Sequence, residues 1–268
     1  MFDFLIYFFM LLVGTLGVFF VCGLTAYVIA RMFSRLVGRG SGAVFDLTSA
    51  VGTPVHELGH ALMCKLFGHR ITRMQLWNPK PANGVYGFVE HSYSKRNLWA
   101  RLGNLFIGMG PLFSGLGVTV LVLWLCYPEL WNDYLAYSSG MVAEGGALPF
   151  EEVAQGVFML FAGIPEAFRQ DWLKSLLGLL VILSVSLHIT MSPRDVKNCV
   201  GSLPLYLFLL GIVAFATYWT PAGSLLLSLL LLLNLRLLSL FALVIGFSLV
   251  WLALAIVIRT LKLIVEWF

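Results

Sequence analysis

Val55-His56-Glu57-Leu58-Gly59-His60-Ala61 carries an HExxH pattern inside an apolar stretch that runs from about Ala43 to Phe67. Four residues is just over one helical turn, so on a helix His56 and His60 share a face and can reach one ion. Imidazole nitrogens are good zinc ligands, and a catalytic zinc site keeps one coordination position open for water. Glu57 is then placed beside that water as general base. Asp46, His56, Glu57 and His60 are all expensive in hydrocarbon, so an ionisable cluster in an apolar helix is a functional hypothesis by default. The bland alternative is a pair of histidines satisfied by neighbouring carbonyls.

Working outward, the rest of the chain shows what kind of protein holds this helix. Of the 268 residues 60% are hydrophobic and 11% charged, and the mean hydropathy is +0.91. That composition leaves too little polar surface for a water-soluble globule. Several stretches reach the length of about 20 apolar residues that a bilayer requires. The expected fold is an α-helical polytopic membrane protein of about six to seven transmembrane helices, since lipid leaves each backbone group to be satisfied inside its own helix. We read residues 1–268 as a single integral membrane domain, with the motif-bearing core over 43–200 and further spans over 203–268. The expected location is a bacterial cell membrane, crossed several times.

The formal charge of +4 says little about partners, because in a membrane protein the placement of charge matters more than its sum. Nucleic acid is not an expected partner; the lipid bilayer is, and the oligomeric state is left open. The single cysteines Cys22, Cys64, Cys126 and Cys199 form no CxxC pair and read as small apolar residues. The N-terminal apolar run is longer than a signal-peptide core and reads as a retained first span, Phe4 to Ala30. It is closed by Arg31, Arg35 and Arg39 within a glycine-rich joint, Gly38-Arg39-Gly40-Ser41-Gly42.

The motif helix can start near Ala43 and kink at Thr53-Pro54, or start afresh there with Thr53 as N-cap. Gly68 is the expected C-cap, with Lys65, His69 and Arg70 near the negative end of the helix dipole. Beyond it the helical pattern stops. Ile71 to Trp77, the turn-rich Asn78 to Gly84, and Val85 to His91 read as strand, loop and strand, a small membrane-associated β-hairpin. An exposed strand edge can hold an extended peptide by main-chain hydrogen bonds; an ordinary surface connection would look the same.

Arg101 to about Tyr127 is the next span, with Gly108-Met109-Gly110-Pro111 near its start. Residues 128–168 carry Glu129, Asp133, Glu144, Glu151, Glu152 and Glu166 with no Lys or Arg, and read as a non-cytoplasmic loop. Trp172 to Thr190 is a further span, followed by the polar joint Ser192 to Asn198. Leu203 to Ile258 is almost purely apolar, split at Thr220-Pro221-Ala222-Gly223 and by one reading again at Asn234 to Ser239. Ten of the seventeen Lys and Arg residues lie between 31 and 101, on both sides of the motif helix. If that helix spans fully, the two basic groups face opposite sides, which conflicts with the positive-inside tendency.

Two histidines do not complete a catalytic zinc site, which normally takes three protein ligands. His188 and Asp195 are the candidates, both expected at the cytoplasmic end of the Trp172 span. Asp195 has a second reading: Ser192-Pro193-Arg194-Asp195 is a good helix start, with Ser as N-cap and an acid in the first turn. The residues alone leave ligand and cap open.

HELGH in a membrane helix, the hairpin after it, Gly110-Pro111 in the next span and Pro193-Arg194-Asp195 in a later one resemble the site-2 protease group of intramembrane zinc metalloproteases. The resemblance covers about residues 43 to 200. It implies that His56, His60 and Asp195 bind Zn2+, that Glu57 is the catalytic base, and that His188 stands near the family's Asn as a catalytic, substrate-positioning or oxyanion-stabilising group. Arg194 stands where that family has Leu and Val196 where it has Gly, the Asn is absent, and no PDZ or CBS domain accompanies the core; a minimal or divergent relative is implied. The function expected is hydrolysis of a transmembrane or membrane-proximal segment of a protein substrate. The alternative is a non-catalytic membrane protein, a metal transporter or an inactive scaffold that keeps a zinc-binding helix. Transport would call for polar residues on several spans, and Leu203 to Ile258 offers only Asn234 and Arg236 as strongly polar groups.

Overall fold

The computed structural model describes residues 2–37, 41–81, 84–140 and 150–265. Arg39 in the glycine-rich joint, part of the hairpin loop (82–83) and Glu144 lie outside the described residues. The chain is mostly helical: α1 (Phe2–Leu12), a π-helical turn (Val13–Gly17), α2 (Val18–Val37), α3 (Ser41–Leu66), β1 (Arg70–Gln75), β2 (Phe88–Ser92), α4 (Leu98–Cys126), α5 (Pro128–Gly140), α6 (Phe150–Ala162), α7 (Ile164–Gln170), α8 (Trp172–Ser186), α9 (Pro193–Tyr218) and α10 (Pro221–Val265). Four helical runs are long and apolar enough to cross a membrane: Phe2–Val37, Leu98–Cys126, Pro193–Tyr218 and Pro221–Leu261. The chain thus has the character of a membrane protein, with one two-stranded antiparallel sheet set among its helices.

α4 is the central element. It packs against α3, α8 and α9, and the run Leu105, Ile107 to Leu112, Gly115 and Leu116 is buried, as expected of a helix apolar on every side. Asn97 starts it, its side-chain oxygen accepting from the backbone N–H groups of Trp99 and Ala100. Around it the main core gathers Leu105, Met109, Leu123, Val185, Ile189 and Phe241. A second apolar cluster, Tyr7, Leu11, Leu210 and Ala214, joins α1 to α9.

The motif helix is one continuous helix through Pro54, so Thr53-Pro54 does not start it afresh. Its end is a Schellman turn: Gly68 takes φ +71°, its N–H bonds to Lys65 O and the His69 N–H bonds to Cys64 O at 2.8 Å. The hairpin forms as expected, with Ile71 opposite His91 and Gln75 opposite Phe88, and a register shift between Ile71 and Arg73.

Three expectations need correction. The acid-rich stretch 128–168 is not a loop, since its described residues form α5, α6 and most of α7. α10 runs unbroken through Asn234 to Ser239. Asn234 does not interrupt it because its amide donates to Leu230 O in its own helix and to Gly14 O in the π-helical turn. The Trp172 helix stops at Ser186, short of Thr190, and the stretch that follows is not a joint at the end of the bundle. Ser175 O accepts from Tyr127 Oη, Ile189 packs at Gly115, Asp195 at Gly108, Cys199 Sγ donates to Leu105 O and Ser202 Oγ to Arg101 O. α8, the non-helical Leu187 to Ser192 and the start of α9 therefore form one broken run lying antiparallel along α4, with the break opposite its middle. Hydropathy conceals that break because Leu187, Ile189 and Met191 are apolar and fully buried.

Candidate metal centre

The break in the α8–α9 run faces the HExxH helix, and the two histidines are fixed by backbone atoms on opposite sides. His56 Nδ1 lies 2.7 Å from His188 O in the break, and His60 Nδ1 lies 2.7 Å from Ile107 O in α4. A carbonyl can only accept, so both rings carry a proton on Nδ1, and in the neutral form each exposes a bare lone pair at Nε2. The two Nε2 atoms are 3.3 Å apart, and His60 Nε2 is 3.4 Å from Asp195 Oδ1. Two unprotonated nitrogens cannot hydrogen-bond each other. His56, His60 and Asp195 thus bring three electron-pair donors to one point, all within 4.8 Å of one another. With metal–ligand bonds of about 2.0–2.1 Å, the edge of a tetrahedron is about 3.4 Å. The donor set fits a zinc-sized ion, and the two carbonyls are the outer partners that orient ligating imidazoles. Comparisons of the chain with protein-family models, with curated proteins and with solved structures give no match.

Capping does not exclude ligation at Asp195, because its two oxygens face different partners. Oδ2 accepts from the Ser192 N–H at 2.8 Å while the Asp195 N–H donates to Ser192 Oγ at 3.3 Å, a capping box that starts α9. Oδ1 is left to face His60. The bland alternative for the histidines holds for one nitrogen of each ring, the Nδ1 that bonds a carbonyl; Nε2 has no such partner.

His188 is brought to the site but does not point into it. Its Nε2 lies 3.1 Å from Thr48 Oγ1, its Nδ1 3.5 Å from Thr53 Oγ1, and Phe45 meets the ring edge-on. Its backbone carbonyl, rather than its side chain, touches a candidate ligand. Glu57 is 7% exposed and lines a cavity of about 660 Å³ with Thr53, His56, Tyr86, Gly87 and His188. The hairpin closes one wall of that cavity. A Cβ at Gly87 would lie 2.7 Å from Thr53 Cγ2 and 2.8 Å from Glu57 Cγ, so only glycine lets the segment leading into β2 approach this closely. Tyr86 Oη donates to Asp46 Oδ1 at 2.6 Å and Trp77 Nε1 to Ser49 Oγ at 2.9 Å. Asp46 thereby has a partner on the hairpin and takes no place among the ligands. The Ile107 and His188 carbonyls carried no sequence signal at all, since every residue has one.

Proposed function

We propose that the protein is a membrane-embedded zinc endopeptidase of the site-2 protease type, acting on a transmembrane or membrane-proximal segment of another protein. The observation that carries this reading is the pair of bare Nε2 atoms held 3.3 Å apart beside Asp195 Oδ1, with a buried carboxylate, Glu57, one residue from the first histidine. Zinc, when bound, supplies Lewis acidity toward a peptide carbonyl and makes water a better nucleophile at neutral pH. Glu57 takes the proton from the attacking water and passes it to the leaving amine. The wall formed by Val85 to Gly87 keeps the cleft narrow beside Glu57, so the substrate is threaded as an extended segment rather than as a helix. A helical carbonyl is already hydrogen-bonded and shielded, which makes local unwinding part of the reaction. The reading also includes several crossings of a bacterial cell membrane: to the four long apolar runs it adds α3, while α8 belongs to the same broken run as α9.

The test is paired. Purified protein is assayed for zinc by mass spectrometry and for cleavage of a reporter carrying a helix-destabilised transmembrane segment, with Glu57→Gln alongside. Glu57→Gln is expected to keep the metal and lose cleavage. Metal-free wild type, or cleavage that persists in the Glu57→Gln protein, would overturn the proposal. Metal held by a wild-type protein that cleaves no segment would favour the non-catalytic alternative.

A further inference from the structure

One helical turn beyond His60, on the same face of α3, lies a second group of donors outside the centre described above. Cys64 is fully buried and His69 is 6% exposed. The Schellman turn at Gly68 folds the chain back on itself, so His69 returns beside the Cys64 thiol instead of continuing away from it. The antiparallel register then delivers His91 from β2, opposite Ile71. One ligand atom from each of Cys64, His69 and His91 lies within 4.8 Å of the others.

The details favour coordination over packing. His69 Nε2 lies 2.7 Å from Ala100 O, which fixes the proton on Nε2 and leaves Nδ1 as a bare electron pair. That Nδ1 is 2.9 Å from His91 Nδ1, and Tyr93 stacks on the His69 ring with centroids 4.6 Å apart. A hydrogen bond between the imidazoles accounts for the 2.9 Å contact but leaves the thiol beside them without a role. A sulfur and two imidazole nitrogens, one of them oriented by a carbonyl, make a ligand set suited to a thiophilic ion.

We propose that Cys64, His69 and His91 form a second metal site, taking a zinc-type divalent cation that clips the β-hairpin to the C-terminal end of the motif helix. Binding replaces the thiol proton, so Cys64 ligates as thiolate and its proton passes to solvent. The site does not share chemistry with the first. Cys64 is four residues from His60, a rise of about 6 Å, whereas ions that act together on one substrate sit about 3.5–4 Å apart. Its effect is on the hairpin, whose inner wall lies against Glu57.

The test uses the full chain in detergent, stripped with chelator and reloaded with Co2+. A thiolate-to-cobalt charge-transfer band in the near ultraviolet is expected from wild type, lost in Cys64→Ser and strongly weakened in His91→Gln. The same band should survive in His56→Ala, since the first centre holds no thiolate. Zinc content should fall by one ion per chain in Cys64→Ser. If Cys64→Ser does not fold, the band in His91→Gln, a change on the half-buried β2, decides between the same two outcomes. Absence of the band from wild type, its persistence in both variants, or its loss in His56→Ala overturns the proposal. Loss of peptidase activity alone leaves the band untouched, so this site and the proposed function fail separately.

Discussion

Adding one methyl group at Gly110 tests whether the metal geometry depends on how closely α3 and α4 approach. A Cβ at Gly110 would stand 2.6 Å from Gly59 O, 2.7 Å from Gly59 C and 2.9 Å from His60 N, all backbone atoms that cannot rotate aside. Ordinary contact begins near 3.4 Å, so the helices must part by something on the order of 1 Å at this crossing. His60 sits between them, its Nδ1 tied to Ile107 O on α4 and its Nε2 facing Asp195. Metal–ligand distances tolerate about 0.2 Å, so the cage cannot absorb that displacement. Overpacking of this kind costs about 1–3 kcal/mol, and every 1.4 kcal/mol or so that reaches the ion is a tenfold loss of affinity. Gly110→Ala is therefore expected to lower the unfolding midpoint in detergent by several degrees and to weaken zinc binding at least tenfold. Gly117→Ala, in the same helix with open space around its Cβ, is the control; it should be neutral or stabilising by up to about 1 kcal/mol. Wild-type zinc affinity and midpoint in Gly110→Ala would refute the reasoning.

Asp195→Asn should keep α9 capped, because an amide oxygen can still accept from Ser192 N–H, yet lower zinc affinity at least tenfold, about 1.4 kcal/mol; equilibrium dialysis measures it. His188→Asn should largely spare the metal, since the carbonyl that holds His56 remains. Full occupancy in the first variant with loss in the second would reverse these roles. Burial, with the Asp46 carboxylate beside it, pushes the Tyr86 phenol from 10 up to about 12. Because the folded state favours the protonated form, this contact contributes stability that is complete below pH 10 and is lost as pH rises through 12. Limited proteolysis of the hairpin should accelerate across that window in wild type and show no such step in Tyr86→Phe. For topology, residues 70–101 are expected to face the cytoplasm and 128–168 the other side; cysteine labelling with the reverse pattern would overturn the charge argument.

The parts of the molecule that were legible in the sequence are those where one residue type has one physical use. HExxH fixes two imidazoles on one helical face, the Gly- and Pro-rich run before Val85 ends the helical pattern, and Asp195 is one of few carboxylates near the right place. The break at Leu187 to Ser192 was not legible, because buried apolar side chains keep hydropathy high whether the backbone is helical or extended. Asn234 misled in the opposite direction: a polar residue suggested an interruption, but its amide is used within and beside the helix. Cys64, His69 and His91 could not be grouped without the positive φ at Gly68 and the strand register. The spacing of Cys64 four residues past His60 was the one available hint.

Under the proposed metal site, the two oxygens of Asp195 make the start of α9 and the ion thermodynamically reciprocal. A carboxylate whose Oδ2 is held by Ser192 has its Oδ1 already aimed, so whatever firms the first turn of α9 also tightens the grip on the cation. By the same linkage the cation should shield that turn from fraying. Amide hydrogen exchange over 192–198 is then a gauge of metal loading, readable without a substrate and without an assay of cleavage.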